Sequence, residues 1–372
     1  MNKGNQTKLL GLTLQELTSI CKEAGEPSYR GRQLFEAIYQ QRTEDLERVT
    51  TLPGGFRAEL ERGGWRIGFP SVAKKFASAD GTVRYLIEFE DGESVEAVWM
   101  PEGDDGESGD GSEAGEASSP GKTWHRATIC ISSQVGCAVD CQFCLTAQLG
   151  VKRNLTAGEI VGQVCAVLKD VGVSPPQDRV NLVFMGMGEP FLNYEAFIKA
   201  VRLLVDGVGI PDSRMTVSTA GIVPRIYDLA AEVVRPKLAI SLNAPNDALR
   251  TRLMPINRKW NLESLMAAAR EFTLQKREKL TFEYVMLGGV NDADEHAREL
   301  AELVRGLRAK VNLIALNPGP GISFKTPEQE RVLKFQQILI AAGVPAFIRR
   351  PRGRDIYAAC GQLKRTIELV SL

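Results

Sequence analysis

The spacing of apolar residues changes period twice along the chain. Up to residue 70 they recur at helical spacing in three short stretches, 14–24, 31–41 and 53–62, separated by turn residues. Tyr29, Arg30, Arg32 and Gln33 fall where the second stretch opens. From 71 to 100 the pattern alternates. Here 82–89 and 94–100 read as strands joined by Glu90-Asp91-Gly92, a hairpin signal. From residue 127 a strand followed by an amphipathic helix repeats six times. Strands are expected at 127–132, 180–185, 214–219, 237–242, 281–287 and 311–316, and helices at 157–170, 194–205, 223–233, 262–275, 294–308 and 327–342. Capping boxes are expected at Thr156-Ala-Gly-Glu159 and Thr326-Pro-Glu-Gln329, the latter with Pro327 at the first helical position. A seventh strand, 344–349, follows.

Repeated strand–helix units imply an α/β fold with a parallel sheet. Six of them suggest a partial TIM-like (β/α)6 barrel over residues 123–372, preceded by a small helical domain at 1–70 and a β-hairpin linker at 71–100. A flat doubly wound sheet is the alternative, and periodicity does not separate the two. The barrel makes a sharper prediction, because its functional residues sit just after strands, at the C-terminal face. The unusual segments do fall there. A cysteine cluster follows the first strand and Gly186-Met-Gly-Glu-Pro190 the second. Ser218 ends the third, Ser241-Leu242-Asn243 the fourth, and Asn317-Pro-Gly-Pro the sixth.

Composition adds three points. Residues 101–122 are acidic and rich in Gly and Ser, and cannot bury enough apolar surface to offset their ordering entropy, so a disordered surface insertion is expected. From 103 to 122 six acidic residues stand against Lys122 alone; the formal charge of zero therefore hides a modestly basic remainder, which is compatible with nucleic acid. No apolar run approaches membrane-spanning length and the N-terminus lacks a secretory h-region, which points to the cytoplasm, with no membrane partner. Nothing in the sequence demands an oligomer, and a monomer is expected.

The strongest chemical signal is Cys137-Ala-Val-Asp-Cys141-Gln-Phe-Cys144. Three of seven cysteines packed into eight residues fit metal or redox use in a reducing compartment better than a disulfide framework. Thiolates are the usual ligands of Fe–S clusters, and three on one loop reach three corners of a cubane, leaving the fourth iron open for substrate. A structural zinc site wants four ligands, and the chain has only two histidines, His125 and His296.

Cys-x3-Cys-x-aromatic-Cys after the first strand resembles the signature of the radical S-adenosylmethionine (SAM) superfamily. The segments Ile131-Ser-Ser-Gln-Val-Gly-Cys137, Gly186–Pro190, Ser241-Leu-Asn-Ala-Pro245 and Asp355-Ile-Tyr-Ala-Ala-Cys-Gly-Gln-Leu363 together look like the bacterial dual-specificity adenine-carbon-2 RNA methyltransferases, nearly end to end, with the acidic insertion as the departure. That family acts on an adenine of 23S rRNA and on one next to the anticodon of some tRNAs. The resemblance implies a [4Fe–4S] cluster on Cys137, Cys141 and Cys144, SAM as cofactor, RNA as partner and an electron donor such as flavodoxin. It makes Cys360 the methyl carrier, Cys130 the thiol that resolves the covalent adduct by forming a transient disulfide, and Glu96 the proton acceptor. It also makes Gly188, Glu189, Ser218, Ser241, Leu242, Asn243 and Asn317 the SAM contacts.

The residues by themselves leave other readings open. Cys360 and Cys130 also read as small buried hydrophobes, as Cys21 and Cys165 do in their helical patterns. Glu96 is either an exposed strand glutamate or a carboxylate sharing a face with Val98 and Met100, suited to act as a base. Arg349, Arg350, Arg352 and Arg354, with Lys152 and Arg153, are candidate phosphate contacts. A related family methylates adenine carbon-8, and a non-catalytic Fe–S RNA-binding protein is the reading from a different class.

Overall fold

The computed structural model describes residues 7–102, 126–272, 274 and 278–363. The expected acidic insertion lies outside the described residues from 103 onward.

At the N-terminus, strand β1 (Thr7–Lys8) pairs in parallel with β2 (Trp65–Arg66), and between them lie α1 (Leu14–Glu23), α2 (Tyr29–Tyr39) and α3 (Gly54–Arg62). Helix α1 opens on a capping box in which the Thr13 hydroxyl accepts from the Glu16 amide at 3.2 Å. The Tyr39 hydroxyl stitches this part together, donating to the Leu12 carbonyl at 2.7 Å and accepting from the Gly11 amide at 2.9 Å. The apolar faces of these helices join the main core, which runs without a break into the sheet.

The sheet has ten strands: β3 (Ser71–Ala77), β4 (Val83–Glu88), β5 (Ser94–Glu102), β6 (Arg126–Cys130), β9 (Val180–Phe184), β10 (Met215–Thr219), β11 (Lys237–Ser241), β12 (Leu280–Met286), β13 (Ala309–Ala315) and β14 (Ala346–Ile348). A separate hairpin of β7 (Gln134–Gly136) and β8 (Val151–Asn154) interrupts the run. Helices α4 (Ala157–Asp170), α5 (Tyr194–Leu203), α6 (Val223–Ala231), α7 (Asp247–Leu253), α8 (Leu262–Glu271), α9 (Asp294–Leu303) and α10 (Gln329–Ala341) connect the strands.

From β6 to β14 the strands pair in parallel in strict chain order. A doubly wound sheet must reverse its order at a switch point, and this one does not. The singly wound order is that of a barrel, left open because β14 and β3 form its two edges.

Two expectations are corrected. The alternating segment 71–100 is not a linker. It holds three strands rather than two, and β5 pairs antiparallel with β6, so the segment extends the barrel sheet itself. The second capping box does not form, since α10 starts at Gln329 with Glu328 as its N-cap. The Lys325 carbonyl accepts from Gly288 at 2.8 Å and the Thr326 hydroxyl donates to Leu316 at 3.0 Å, which holds this stretch against the ends of β12 and β13.

Candidate functional site

The three cysteines lie on a loop closed at its base by the β7–β8 hairpin. Gly136 has φ +80° and packs so tightly that a Cβ there would lie 1.7 Å from the Gly150 carbonyl oxygen. No side chain fits such an approach. The Cys137 amide donates to that same oxygen at 3.0 Å, and the Cys144 amide donates to Cys141 at 3.1 Å. Around the loop gathers a small apolar cluster, separate from the main core, that includes Val139, Phe143, Leu253, Met254 and Leu316. Burial pushes the Cys137 thiol up to about 12 and the Cys141 thiol well above its usual value, and the cysteines' charges on one another act in the same direction.

Among the described residues no three His, Cys, Asp or Glu side chains converge as ligands of one ion. The donors that do share this loop are three free thiols, the ligand type that Fe–S clusters take, each thiolate binding a different iron, so the donor set fits a cluster in kind.

Gly186–Pro190 crosses behind this loop. The Met187 carbonyl accepts from the Ser133 and Gln134 amides at 2.8 and 3.2 Å. A Cβ on Gly188 would lie 2.6 Å from that of Gln134, so this glycine answers to the protein's own backbone packing. Glu189 is buried, its oxygens accepting from the amides of Phe191 at 3.0 Å and Ala220 at 2.7 Å. Burial raises its pKa to about 7, while those amides and the Thr219 side chain oppose the rise.

The strand-end polar residues divide into two groups. Ser218 and Ser241 bring their hydroxyls to 3.1 Å across β10 and β11, partly open to solvent. The groups of Leu242 and Asn243 are already taken. The Leu242 side chain is fully buried, and its carbonyl accepts from Arg250 at 3.1 Å. Asn243 holds a left-handed φ of +59°, its Oδ1 accepting from Val285 at 2.8 Å and its Nδ2 reaching Met254 Sδ at 3.2 Å.

Sequence reasoning missed Arg250. It is fully buried on α7 and donates to the carbonyls of Ala220 at 2.6 Å, Ser241 at 3.2 Å and Leu242 at 3.1 Å, and to Asn257 at 2.8 Å. Burial lowers its pKa to about 10 even though Cys141 and Asp247 act to raise it. Spacing on α7 gives only a weak hint, since Arg250 precedes the buried Leu253 by one helical turn.

Cys360 sits on an irregular stretch docked on the cluster loop. Leu145, one residue past Cys144, donates its amide to Gly361 at 2.8 Å, and the Thr146 hydroxyl donates to Leu363 at 2.7 Å. Asn317 Nδ2 donates to the Cys360 carbonyl at 3.3 Å, so this residue positions the Cys360 stretch. Cys360 keeps access to solvent, while protein on its other sides raises its thiol pKa, the Glu283 carboxylate adding to the rise and Arg349 opposing it. Cys130 is buried at the end of β6, and burial pushes its thiol up, with Cys360 acting in the same direction. Cys21 and Cys165 are buried in α1 and α4, as their helical patterns imply.

Glu96 is neither exposed nor alone. It is fully buried and ion-paired with the equally buried Arg84 on the neighbouring strand. Lys152 and Arg153 are likewise engaged. Lys152 meets Glu93 at 2.7 Å, and Arg153 meets Asp91 at 2.6 Å and Glu159 at 2.9 Å, so their charges are locally balanced. The C-terminal arginines 349, 350 and 354 are exposed.

Among known proteins, the family model of the Radical SAM superfamily matches residues 131–301, and that of the ribosomal RNA large subunit methyltransferase N-terminal domain matches 7–63. The chain is 65% identical over 348 residues to a probable dual-specificity RNA methyltransferase RlmN of Koribacter versatilis, covering 94% of this chain and 99% of that one. It is 44% identical to the dual-specificity RNA methyltransferase RlmN of Syntrophobacter fumaroxidans, covering 94% and 96%. A crystal structure of a radical SAM methyltransferase from Sphaerobacter thermophilus superposes with a TM-score of 0.85 at 43% identity, covering 97% of this chain and all of that one. With both family models matched and a relative 65% identical over 94% of the chain, the chain belongs to the RlmN family of the radical SAM superfamily.

Proposed function

We propose that this chain is a dual-specificity RNA methyltransferase that methylates carbon-2 of an adenine in 23S rRNA and in tRNA next to the anticodon. The observation that carries the reading is the docking of the Cys360 stretch on the residues just after Cys144. The proposed methyl carrier is thereby held against the loop that bears the three clustered thiols.

Cys137, Cys141 and Cys144 hold the cluster in this reading, and Glu189, Ser218 and Ser241 line the SAM site. When bound, these cofactors supply a methyl group and a carbon-centred radical able to remove a hydrogen atom. The Cys360 sulfur, once deprotonated, carries the methyl group and presents it to the base. Adenine carbon-2 lies between two electron-withdrawing nitrogens and is not nucleophilic, so bond formation there calls for a radical. The adduct must give up one electron, which the cluster would take up when bound, and one proton, which Glu96 accepts from carbon-2. Cys130, once deprotonated, then bonds to the Cys360 sulfur as the sulfur–carbon bond breaks; the electron pair of that bond goes to the methylene carbon, which takes up a proton to become the new methyl group, and the two sulfurs are left as a disulfide, a nucleophilic attack on sulfur akin to thiol–disulfide exchange. The base has to leave its stack to be reached, so recognition rests on RNA shape and phosphate contacts. The N-terminal helices, with Tyr29 and Arg32 exposed, and the C-terminal arginines suit that task. A flavodoxin-type donor supplies electrons, and such RNA substrates locate the work in the cytoplasm.

The test is mass spectrometry of the Cys360 peptide from anaerobically reconstituted protein incubated with SAM, followed by nucleoside analysis of treated RNA. An added methylene unit on Cys360, absent in Cys360→Ala, and 2-methyladenosine in the RNA are expected. An unmodified Cys360 in protein that still cleaves SAM would sink the carrier role. A carbon-8 product would replace the regiochemistry.

A further inference from the structure

Residues 353–363 carry Cys360 with little regular structure beyond the 3-10 turn Arg354–Ile356. Their position therefore depends on discrete ties rather than on a backbone ladder. On the C-terminal side those ties run to Leu145, Thr146, Asn317 and the Pro318 carbonyl, which accepts from Gln362 at 2.8 Å. The N-terminal side is held by a different element, the turn between β3 and β4.

There two carboxylates are exchanged. Asp355 Oδ1 accepts from the Ser78 hydroxyl at 2.6 Å and Oδ2 from the Ala79 amide at 3.3 Å. In return Asp80 Oδ2 accepts from the Gly353 amide at 2.9 Å, while its Oδ1 accepts from Thr82 at 2.9 Å. Burial works against ionisation of Asp80, yet the bonds from Gly353, Thr82 and Ser78 hold its carboxyl below the usual range. The surfaces are in close contact as well. A Cβ on Gly353 would lie 2.8 Å from that of Ala358 and 2.9 Å from Thr82 Cγ2. Both carboxyl groups stand at the surface, and each reaches across to the other segment.

We propose that Asp80 and Asp355 are positioning residues, a reciprocal carboxylate clip by which the β3–β4 turn holds the Cys360 stretch over the strand ends. The proposal rests on Cys360 being the methyl carrier. Its sulfur has to meet a methyl donor, an RNA base and Cys130 in succession, and each encounter demands accurate placement. A misplacement of about 1 Å costs on the order of a hundred-fold in rate. The clip lies on the opposite side of Cys360 from the ties to the cluster loop, so its loss loosens the stretch without removing a cluster ligand.

The test uses the full chain, reconstituted anaerobically, as Asp355→Ala, Asp80→Ala, the double variant and Asp355→Asn, which keeps one carbonyl acceptor. Asp355→Ala leaves the hairpin turn's own hydrogen bonds intact and guards against misfolding. We expect amide hydrogen exchange across 353–363 to rise roughly ten-fold in the alanine variants with α10 unchanged. Iodoacetamide should alkylate Cys360 several-fold faster with buried Cys165 as the internal control, and Cys360 methylation should fall by about ten- to a hundred-fold at unchanged iron and sulfide content. Asp355→Asn should fall between. Unchanged exchange and alkylation would overturn the clip, as would a loosened stretch still methylated at the parental rate. If Cys360 of the parent chain takes no methyl group, the carrier reading fails, and exchange and alkylation still decide whether the clip exists.

Discussion

Arg84 and Glu96 face each other diagonally across β4 and β5 as an ion pair from which solvent is excluded on both sides. The register sets Arg84 opposite Val98, two residues along from Glu96, so both side chains emerge on one face. The Phe76 ring covers the guanidinium, its centroid 4.2 Å away. A carboxylate proposed to accept a proton from substrate is thus held beside a fixed positive charge.

Removing one member of a buried pair strands the other's charge and costs about 3–5 kcal/mol. Arg84→Met should lower unfolding stability by that order in denaturant titrations, and adding Glu96→Gln should recover part of the loss. If Arg84→Met is neutral, the pair is not the buried couple described. Glu96→Gln alone should abolish RNA product while leaving methylated Cys360 in place, and full activity in that variant would remove Glu96 from the mechanism.

Glu189 makes stability depend on pH. Its folded pKa is raised by burial to about 7, above the ordinary 4.5. The protonated form is therefore favoured by folding. That contribution is full below about pH 4.5 and is lost as pH rises through 7, amounting to roughly 3 kcal/mol at most. Glu283, also raised by burial, adds a slope of the same sign. Cofactor-free Glu189→Gln protein should show a flatter stability profile between pH 5 and 7.5 than the parent, by chemical denaturation at stepped pH. An identical profile would mean that Glu189 ionises normally.

Arg250 joins the ends of β10 and β11 to α7, while the Leu253 carbonyl on that helix accepts from Gln142 of the cluster loop at 3.0 Å. Arg250→Met leaves several carbonyls unsatisfied and should cost about 3 kcal/mol or more, with reduced iron retention after reconstitution. Arg250→Lys restores the charge without the planar fork and should recover only part of both. Parental iron content in Arg250→Met would show that α7 does not steady the cluster loop.

How much could be read in advance depended on how local each signal was. The six strand–helix units were legible because apolar period is a property of neighbouring residues, and the expected strands overlap the observed ones. Thr156 and Glu159 form their capping box as the spacing implies, with the Thr156 hydroxyl accepting from the Glu159 amide at 3.1 Å. The same spacing failed at Thr326 because contacts with Leu316 and Gly288, distant in sequence, outcompeted the local cap. Strand β3 went unread because it is an exposed edge strand, and only Phe76 on it is buried.

Short-range order along the chain specifies the alternation of elements and the three-cysteine loop, since a cluster's ligands can be supplied within eight residues. Long-range packing sets the rest: the sheet winds in one direction, Glu96 is paired, Arg250 ties strand ends beside the cluster loop, and Asp355 meets Ser78 across a separation of 277 residues. Each of these depends on strand order and register. Those follow from the packing of the whole core, and no short window of residues carries them.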